Sequence, residues 1–236
     1  MTSNPLFLST MAGLCTLIGA VIVLARKRIK RQEFGFYLGL ASGVMLAVVA
    51  FDLAPGAIVQ GEPFGFCFGL FWGWVLLALI QPLLLDQERK QSRTVRIGYL
   101  IMLGIALHDI PEGIAVALGF EVSHRIAAVV AMGIAIHNVP EGMALAAPLL
   151  RAGKSRKKIA INAVLVGLVT PAGTVAGNVI MKMVPGCFGI LMGLAAGVML
   201  YLVVKQLWPE ARKSGIIYGS VGAITGVVII LLTTFI

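Results

Sequence analysis

The sequence predicts an all-α integral membrane protein with eight transmembrane helices. Of its 236 residues 59% are hydrophobic and only 12% are charged, whereas a soluble domain carries roughly 25% charged residues. The apolar residues fall into eight runs, each close to the ~20 residues that a helix needs to span the hydrocarbon. Lys and Arg collect in short stretches between these runs, so the net charge of +9 indicates membrane topology and not nucleic-acid binding.

The eight apolar segments together predict one transmembrane domain over residues 1–236, with no extramembrane domain. In chain order they are Pro5–Ala25, Phe34–Ile58, Phe64–Leu85, Ile97–Phe120, Ile126–Leu150, Ile159–Met181, Phe188–Trp208 and Ile216–Ile236. The first run is too long for the apolar region of a signal peptide and lacks a basic leader, so we expect it to be retained. The longest predicted loop, Asp86–Arg96, has about eleven residues.

The distribution of basic residues predicts the orientation of the chain. The loops after the first, third, fifth and seventh segments hold 16 of the 19 Lys and Arg residues. Because cytoplasmic loops carry an excess of Lys and Arg, these loops are predicted to be cytoplasmic. Both termini are therefore expected to face outward.

An internal repeat relates the second and seventh segments. Ala41–Ala57 and Ala195–Ala211 are identical at 9 of 17 aligned positions. The two segments cross the membrane in opposite directions, so the repeat is inverted, with helices 1–3 and 6–8 around a central pair, helices 4 and 5. An inverted repeat whose central helices contain Pro and Gly at matching positions indicates a secondary transporter with a site near the bilayer midplane.

The central pair carries two copies of one polar motif, 29 residues apart. In each copy a His and a Glu lie four residues apart, so they share one helical face. An ionisable residue at bilayer depth costs at least ~2.5–3.5 kcal/mol and is usually functional. The candidate metal ligands are His108, Asp109, Glu112, His137, Asn138 and Glu141.

Imidazole and carboxylate ligands together suit Zn²⁺, Fe²⁺, Mn²⁺ or Co²⁺ better than Ca²⁺ or Cu⁺. A bound divalent cation also compensates carboxylates that lie in lipid. We therefore expect the metal to be the cargo, with no catalytic cofactor. His124 is expected in an outer loop, as a structural residue, and Cys67 and Cys187 are not expected to pair.

Two classes of enzyme compete with this interpretation. An intramembrane metalloprotease needs a His-Glu-x-x-His helix, which the sequence lacks. A di-iron oxygenase needs more histidines than the three present. We therefore expect no enzymatic activity, and the alternative left open is a metal/proton antiporter that works in the export direction.

The strings HDIPEGIAVALGF and HNVPEGMALAAPL and the AGVML repeat resemble the ZIP (Zrt/Irt-like protein) family of divalent metal transporters, in its bacterial branch, from end to end. The resemblance implies a homodimer in the bacterial cytoplasmic membrane. It implies import of zinc, or of iron, manganese, cobalt or cadmium, by movement of a metal-carrying helix bundle against a static one. It assigns the main ion to the two His and two Glu residues, and Asp109 and Asn138 to a neighbouring site that shares the glutamates.

The chain departs from the family pattern at three places. Thr170 in the sixth segment and Gln206 in the seventh stand where relatives often carry an acid, and the loop after the third segment has no His. The two neutral residues remove negative charges that a second ion needs. We therefore expect one tightly held ion per protomer.

Overall fold

The computed structural model describes residues 4–87, 92–183 and 186–234, and within these ranges the chain is helical and contains no strand. It forms eight helices that are long and apolar enough to cross a membrane, which confirms the predicted fold class. They are α1 (Pro5–Leu24), α2 (Arg31–Val59), α3 (Pro63–Gln87), α4 (Arg93–Val122), α5 (His124–Arg151), α6 (Arg156–Gly167 followed by Val169–Met183), α7 (Phe188–Ser214) and α8 (Ile216–Thr234).

The connection between α4 and α5 is shorter than predicted, and the prediction that His124 lies in a loop is wrong. A single residue, Ser123, separates the helices. Its backbone is extended, and its hydroxyl accepts a hydrogen bond from the amide of Ile126 at 3.1 Å, which caps the start of α5. His124 is consequently the first residue of α5, and its ring lies 4.5 Å from that of Phe120.

The connection between α3 and α4 is also shorter than the predicted loop Asp86–Arg96. The helix α3 continues to Gln87, and α4 begins at Arg93. The predicted cytoplasmic residues Arg89 and Lys90 lie outside the described residues. The end of the last predicted segment, after Thr234, also lies outside them.

The packing of the helices repeats across the molecule. The helix α1 packs on α5 as α6 packs on α4, and α2 packs on α8 as α7 packs on α3. Contacts between α2 and α5 likewise match those between α7 and α4. The same contacts are therefore obtained when helices 1–3 are exchanged with helices 6–8 and α4 is exchanged with α5. This is the relation that the predicted inverted repeat requires.

The crossing of α1 and α6 shows the repeat at single residues. Gly13 and Gly167 are 154 positions apart in the sequence, the same separation as Ala41 and Ala195. A Cβ atom placed on either glycine would overlap the carbonyl oxygen of the other. Small residues therefore allow the two backbones to touch, as they do where helices pack closely in lipid.

Both copies of the repeat contain a π-helical turn that the sequence analysis did not predict. The turns are Val49–Leu53 in α2 and Val203–Leu207 in α7, and they too are 154 positions apart. A proline follows two residues after each turn, Pro55 and Pro209. Proline has no backbone N–H, and the wider turn accommodates the missing hydrogen bond without ending the helix.

The helices fall into two groups by their tightest packing. One group contains α1, α4, α5 and α6, and the other contains α2, α3, α7 and α8. The groups meet chiefly where α2 contacts α5 and α4 contacts α7. Both polar motifs belong to the first group, so the candidate site lies within one group of helices.

Candidate metal centre

Both motifs lie in the interior of their helices, far from either end. His108, Asp109, Asn138 and Glu141 are fully buried, and Glu112 and His137 expose only 3% and 4% of their surface. Pro111 and Pro140 do not end the helices, because α4 and α5 continue for two turns or more beyond them. All six sequence-predicted ligands are therefore buried within the helix bundle, away from the helix ends.

The histidines and glutamates pair across the two helices. His108 Nε2 lies 3.2 Å from Glu141 Oε2, and His137 Nε2 lies 3.1 Å from Glu112 Oε2. Within its own motif His108 is farther from Glu112, at 4.0 Å. Each helix thus supplies one imidazole and one carboxylate to a four-residue ring, which is a ligand set that suits a divalent transition metal.

Asp109 lies against the same ring. Its Oδ1 atom is 3.6 Å from His108 Nε2. One ligand atom from each of His108, Asp109 and Glu112 lies within 4.8 Å of the other two. A metal held by the ring would therefore have this third carboxylate beside it.

Asn138, the counterpart of Asp109, has a different environment. Its Nδ2 donates a hydrogen bond of 3.0 Å to the carbonyl oxygen of Ala12 in α1. Its Oδ1 has no hydrogen-bond partner within the described part of the chain. The amide is consequently tied to α1 by one end and offers a neutral oxygen at the other.

Several buried polar atoms of this site have no hydrogen-bond partner among the described residues. Buried polar groups are normally paired, and an unpaired group in native structure calls for a physical explanation such as an ion or water. A divalent cation would explain the unpaired oxygens of this set, because carboxylate and amide oxygens are ligands for divalent metals. The unpartnered atoms of the motif residues are both carboxylate oxygens of Asp109, Oε1 of Glu112 and Glu141, Oδ1 of Asn138 and Nδ1 of His108.

Thr16 of α1 is not among the site residues that the sequence predicts. Thr16 and Thr170 are fully buried, and neither hydroxyl has a hydrogen-bond partner in the ranges that the structure describes. The two residues are 154 positions apart in the sequence. A Cβ atom on Gly142 would overlap the carbonyl oxygen of Thr16, and one on Gly113 would overlap that of Thr170. The repeat separation, applied to Thr170, would have identified Thr16.

Three further polar residues of the transmembrane helices, Asp52, Lys205 and Gln206, lie on the other group of helices. Asp52, in the π turn of α2, accepts a hydrogen bond of 3.0 Å from the hydroxyl of Thr234. Gln206 is buried in the π turn of α7, and the neighbouring Lys205 is exposed. These residues are not part of the His and Glu ring.

Eight membrane-length helices and a buried ring of imidazoles and carboxylates define an integral, multi-pass membrane protein with a candidate transition-metal site. The match to known families is specific. Residues 86–234 match the family model described as "ZIP Zinc transporter". The chain belongs to this family, which confirms the resemblance found in the sequence.

Similar curated proteins cover nearly the whole chain. The zinc transporter ZupT of Corynebacterium glutamicum is 36% identical, with 95% of this chain and 97% of the relative covered. The ZupT of Corynebacterium efficiens is also 36% identical, with 98% of both chains covered. The ZupT of Chlorobium chlorochromatii is 32% identical, with 95% of this chain and 94% of the relative covered.

Proposed function

We propose that this protein takes up divalent transition-metal ions into the cytoplasm, with zinc as the main substrate. The ion passes through the ring formed by His108, Glu112, His137 and Glu141. The curated relatives match this chain over almost their full length, and they are named zinc transporters. These names support zinc as the substrate over iron, manganese, cobalt or cadmium. Nothing in these relatives supports the export alternative.

The pairing of the two motifs across α4 and α5 is the observation that carries the proposal. Buried ionisable groups in lipid are stabilised when they pair or hold a metal. Here the pairs join two helices at 3.1 and 3.2 Å, so one metal ion replaces both contacts with bonds to itself. Without the cargo each imidazole keeps a glutamate as its partner, and with the cargo these four groups bind the ion, as a reversible carrier requires.

The proposed main site holds one ion tightly. Thr170 and Gln206 are neutral, and Asp109 is the only charged residue that a neighbouring site would have to itself. Asn138 adds a neutral oxygen there, since its amide nitrogen already donates to Ala12. A second ion would therefore share both glutamates and bind more weakly.

The direct test is metal uptake by the purified protein in liposomes that contain a zinc-sensitive dye. We expect saturable zinc entry without an imposed proton gradient. Zinc movement that occurs only when protons flow in the opposite direction would support the antiporter instead. Cells that overproduce the protein should accumulate zinc, and depletion of cellular zinc would contradict uptake.

We further propose a homodimer in the bacterial cytoplasmic membrane with both termini outward. The concentration of basic residues in alternate loops supports the orientation. Reporter fusions at the C-terminus, active only outside the cytoplasm, test it. Light scattering of the purified protein in detergent tests the dimer, with a mass of two chains expected.

A further inference from the structure

A cavity of about 320 Å³ lies at the helix ends where the basic loops emerge, well away from the metal site. It is formed by the start of α2, the start of α4, the end of α5 and the end of α7. The charged residues that line it are Arg31, Arg151, Lys213 and Glu210. Three cations and one carboxylate give the lining a net positive charge.

The single carboxylate of the cavity is already engaged. Glu210 Oε1 lies 2.9 Å from Arg93 Nη2 and 2.9 Å from Lys213 Nζ. Among the described residues no carboxylate pairs with Arg31 or Arg151. In the part of the chain that the structure describes, the positive charge of these two guanidinium groups is therefore not balanced by a carboxylate.

Neighbouring groups hold both arginines in place. Arg31 donates from Nη2 to the carbonyl oxygen of Lys213. The guanidinium carbon of Arg151 lies 4.6 Å from the centre of the Phe34 ring, in a cation–π contact. Each contact leaves other N–H donors of its guanidinium available, because each guanidinium carries five.

We propose that this cavity binds a phosphate group carried by an anionic ligand. The planar guanidinium matches two oxygens of a phosphate, and such charge-assisted pairs are among the strongest hydrogen bonds in proteins. The hydroxyls of Thr94 and Ser214 also line the cavity and add neutral donors. The positive lining disfavours a divalent cation, so the cavity is not a second station for the cargo.

The ligand would join the two groups of helices. Arg31 and Lys213 belong to α2 and α7, whereas Arg151 and Thr94 belong to α5 and α4. A phosphate held between them would stabilise this arrangement of the two groups. The same chemistry is found in the headgroup of an anionic lipid and in a free phosphate.

The test is isothermal titration of the full chain in neutral maltoside micelles. The probes are dioctanoyl phosphatidylglycerol, inorganic phosphate, and dioctanoylglycerol, which has the same acyl chains without phosphate. We expect saturable binding of the phospholipid and none of dioctanoylglycerol. Competition by inorganic phosphate would identify a free phosphate ligand as the source, and its absence would identify the lipid headgroup.

Variants link the binding to the cavity. Arg31→Gln and Arg151→Gln should each weaken the binding of the phosphate probe roughly tenfold or more, as expected for a lost charge-assisted hydrogen bond. Arg28→Gln removes an exposed cation on the same side of the molecule but outside the cavity. This variant should change the affinity for the phosphate probe less than about twofold. Arg151→Lys keeps the charge and should be intermediate.

Two results would overturn the proposal. One is equal weakening by Arg28→Gln and Arg151→Gln, which would show attraction to the basic surface in general. The other is equal binding of phosphatidylglycerol and dioctanoylglycerol to the unaltered protein, a result that does not depend on any variant folding. Because binding is measured without metal, neither result depends on the proposed transport.

Discussion

The motif of α4 and the motif of α5 have the same backbone setting but different chemistry at one position. In both, an imidazole reaches the glutamate of the other helix, at 3.2 Å for His108 and 3.1 Å for His137. In both, the glycine after the glutamate touches a threonine carbonyl, of α6 for Gly113 and of α1 for Gly142. They differ where α4 has Asp109 and α5 has Asn138.

This difference separates two parts of the site. The symmetric part, the His and Glu ring, would supply one metal ion with the same ligands from both helices. In the asymmetric part, the carboxylate of Asp109 has no hydrogen-bond partner among the described residues, whereas the amide of Asn138 donates a hydrogen bond to Ala12. Symmetry therefore predicts equal importance for paired ring residues, and asymmetry predicts unequal roles for Asp109 and Asn138.

The largest expected effect is the loss of a ring carboxylate. Glu112→Ala and Glu141→Ala should each abolish saturable metal uptake, a reduction of about 100-fold or more, because even residues outside the first ligand shell cost 10–100-fold. The two losses should be equal within error if the motifs are equivalent. Uptake in liposomes, together with thermal unfolding to verify folding, measures this.

Glu121→Ala is the matched control for the glutamates. Glu121 is an exposed residue near the end of α4, and its removal should leave uptake nearly unchanged. A well-folded Glu112→Ala variant with near-normal uptake would show that the ring is not the metal site. Unequal losses at Glu112 and Glu141 would show that the backbone symmetry does not extend to function.

Acid should weaken metal binding by a smaller amount. Protons compete with the metal for imidazole and carboxylate, and a protonated imidazole forms an ion pair with the glutamate already 3.1 or 3.2 Å away. Affinity should fall at least about tenfold between pH 7 and pH 5, across the reference histidine pKa of ~6.5. The sign is fixed, because lower pH favours the metal-free arrangement.

Titration calorimetry in two buffers of different ionisation enthalpy detects the released protons. The apparent binding enthalpy should depend on the buffer. An enthalpy that is the same in both buffers at every pH would count against imidazole ligation. The His137→Ala variant should release fewer protons per ion than the unaltered protein.

The sequence predicted the helices and singled out the candidate ligands because both depend on local patterns. A run of about 20 apolar residues and a His-to-Glu spacing of four define helices and helical faces without knowledge of the tertiary structure. The pairing of His108 with Glu141 in preference to Glu112 was not predictable, because it depends on how α4 and α5 are positioned relative to each other along their axes. The cavity beside Arg31 and Arg151 was unpredictable for a similar reason, since four distant stretches of sequence form it.

The connection at Ser123 and the π turns show a second limit of sequence reasoning. One residue both ends α4 and caps α5, and apolar periodicity does not reveal such a short connection. The π turns coincide in the two repeat copies, at Val49–Leu53 and Val203–Leu207. Comparison of the two copies shows that these stretches are equivalent in the repeat. It does not show that either stretch forms a π turn.

Replacement of a ring imidazole should cost more than replacement of the adjacent aspartate. His137→Ala removes a ligand and leaves the buried carboxylate of Glu112 without its closest partner. We expect uptake to fall tenfold or more, whereas Asp109→Ala should reduce it only a few-fold. His124→Ala, which alters an exposed histidine at the start of α5, is the control and should retain normal uptake.

The smallest expected effect arises from exchange of the asymmetric pair. Asn138→Asp adds a carboxylate on the α5 side, so it should raise the affinity for a second ion a few-fold. The same change removes the hydrogen bond to Ala12. Asp109→Asn gives both helices the same motif and should leave one tightly held ion.

Anomalous scattering at the zinc edge, on crystals soaked at low metal, counts the ions in each variant. Two fully occupied peaks between α4 and α5 in the unaltered protein would contradict the single-ion prediction and would show that the neutral oxygen of Asn138 is sufficient for the second ion.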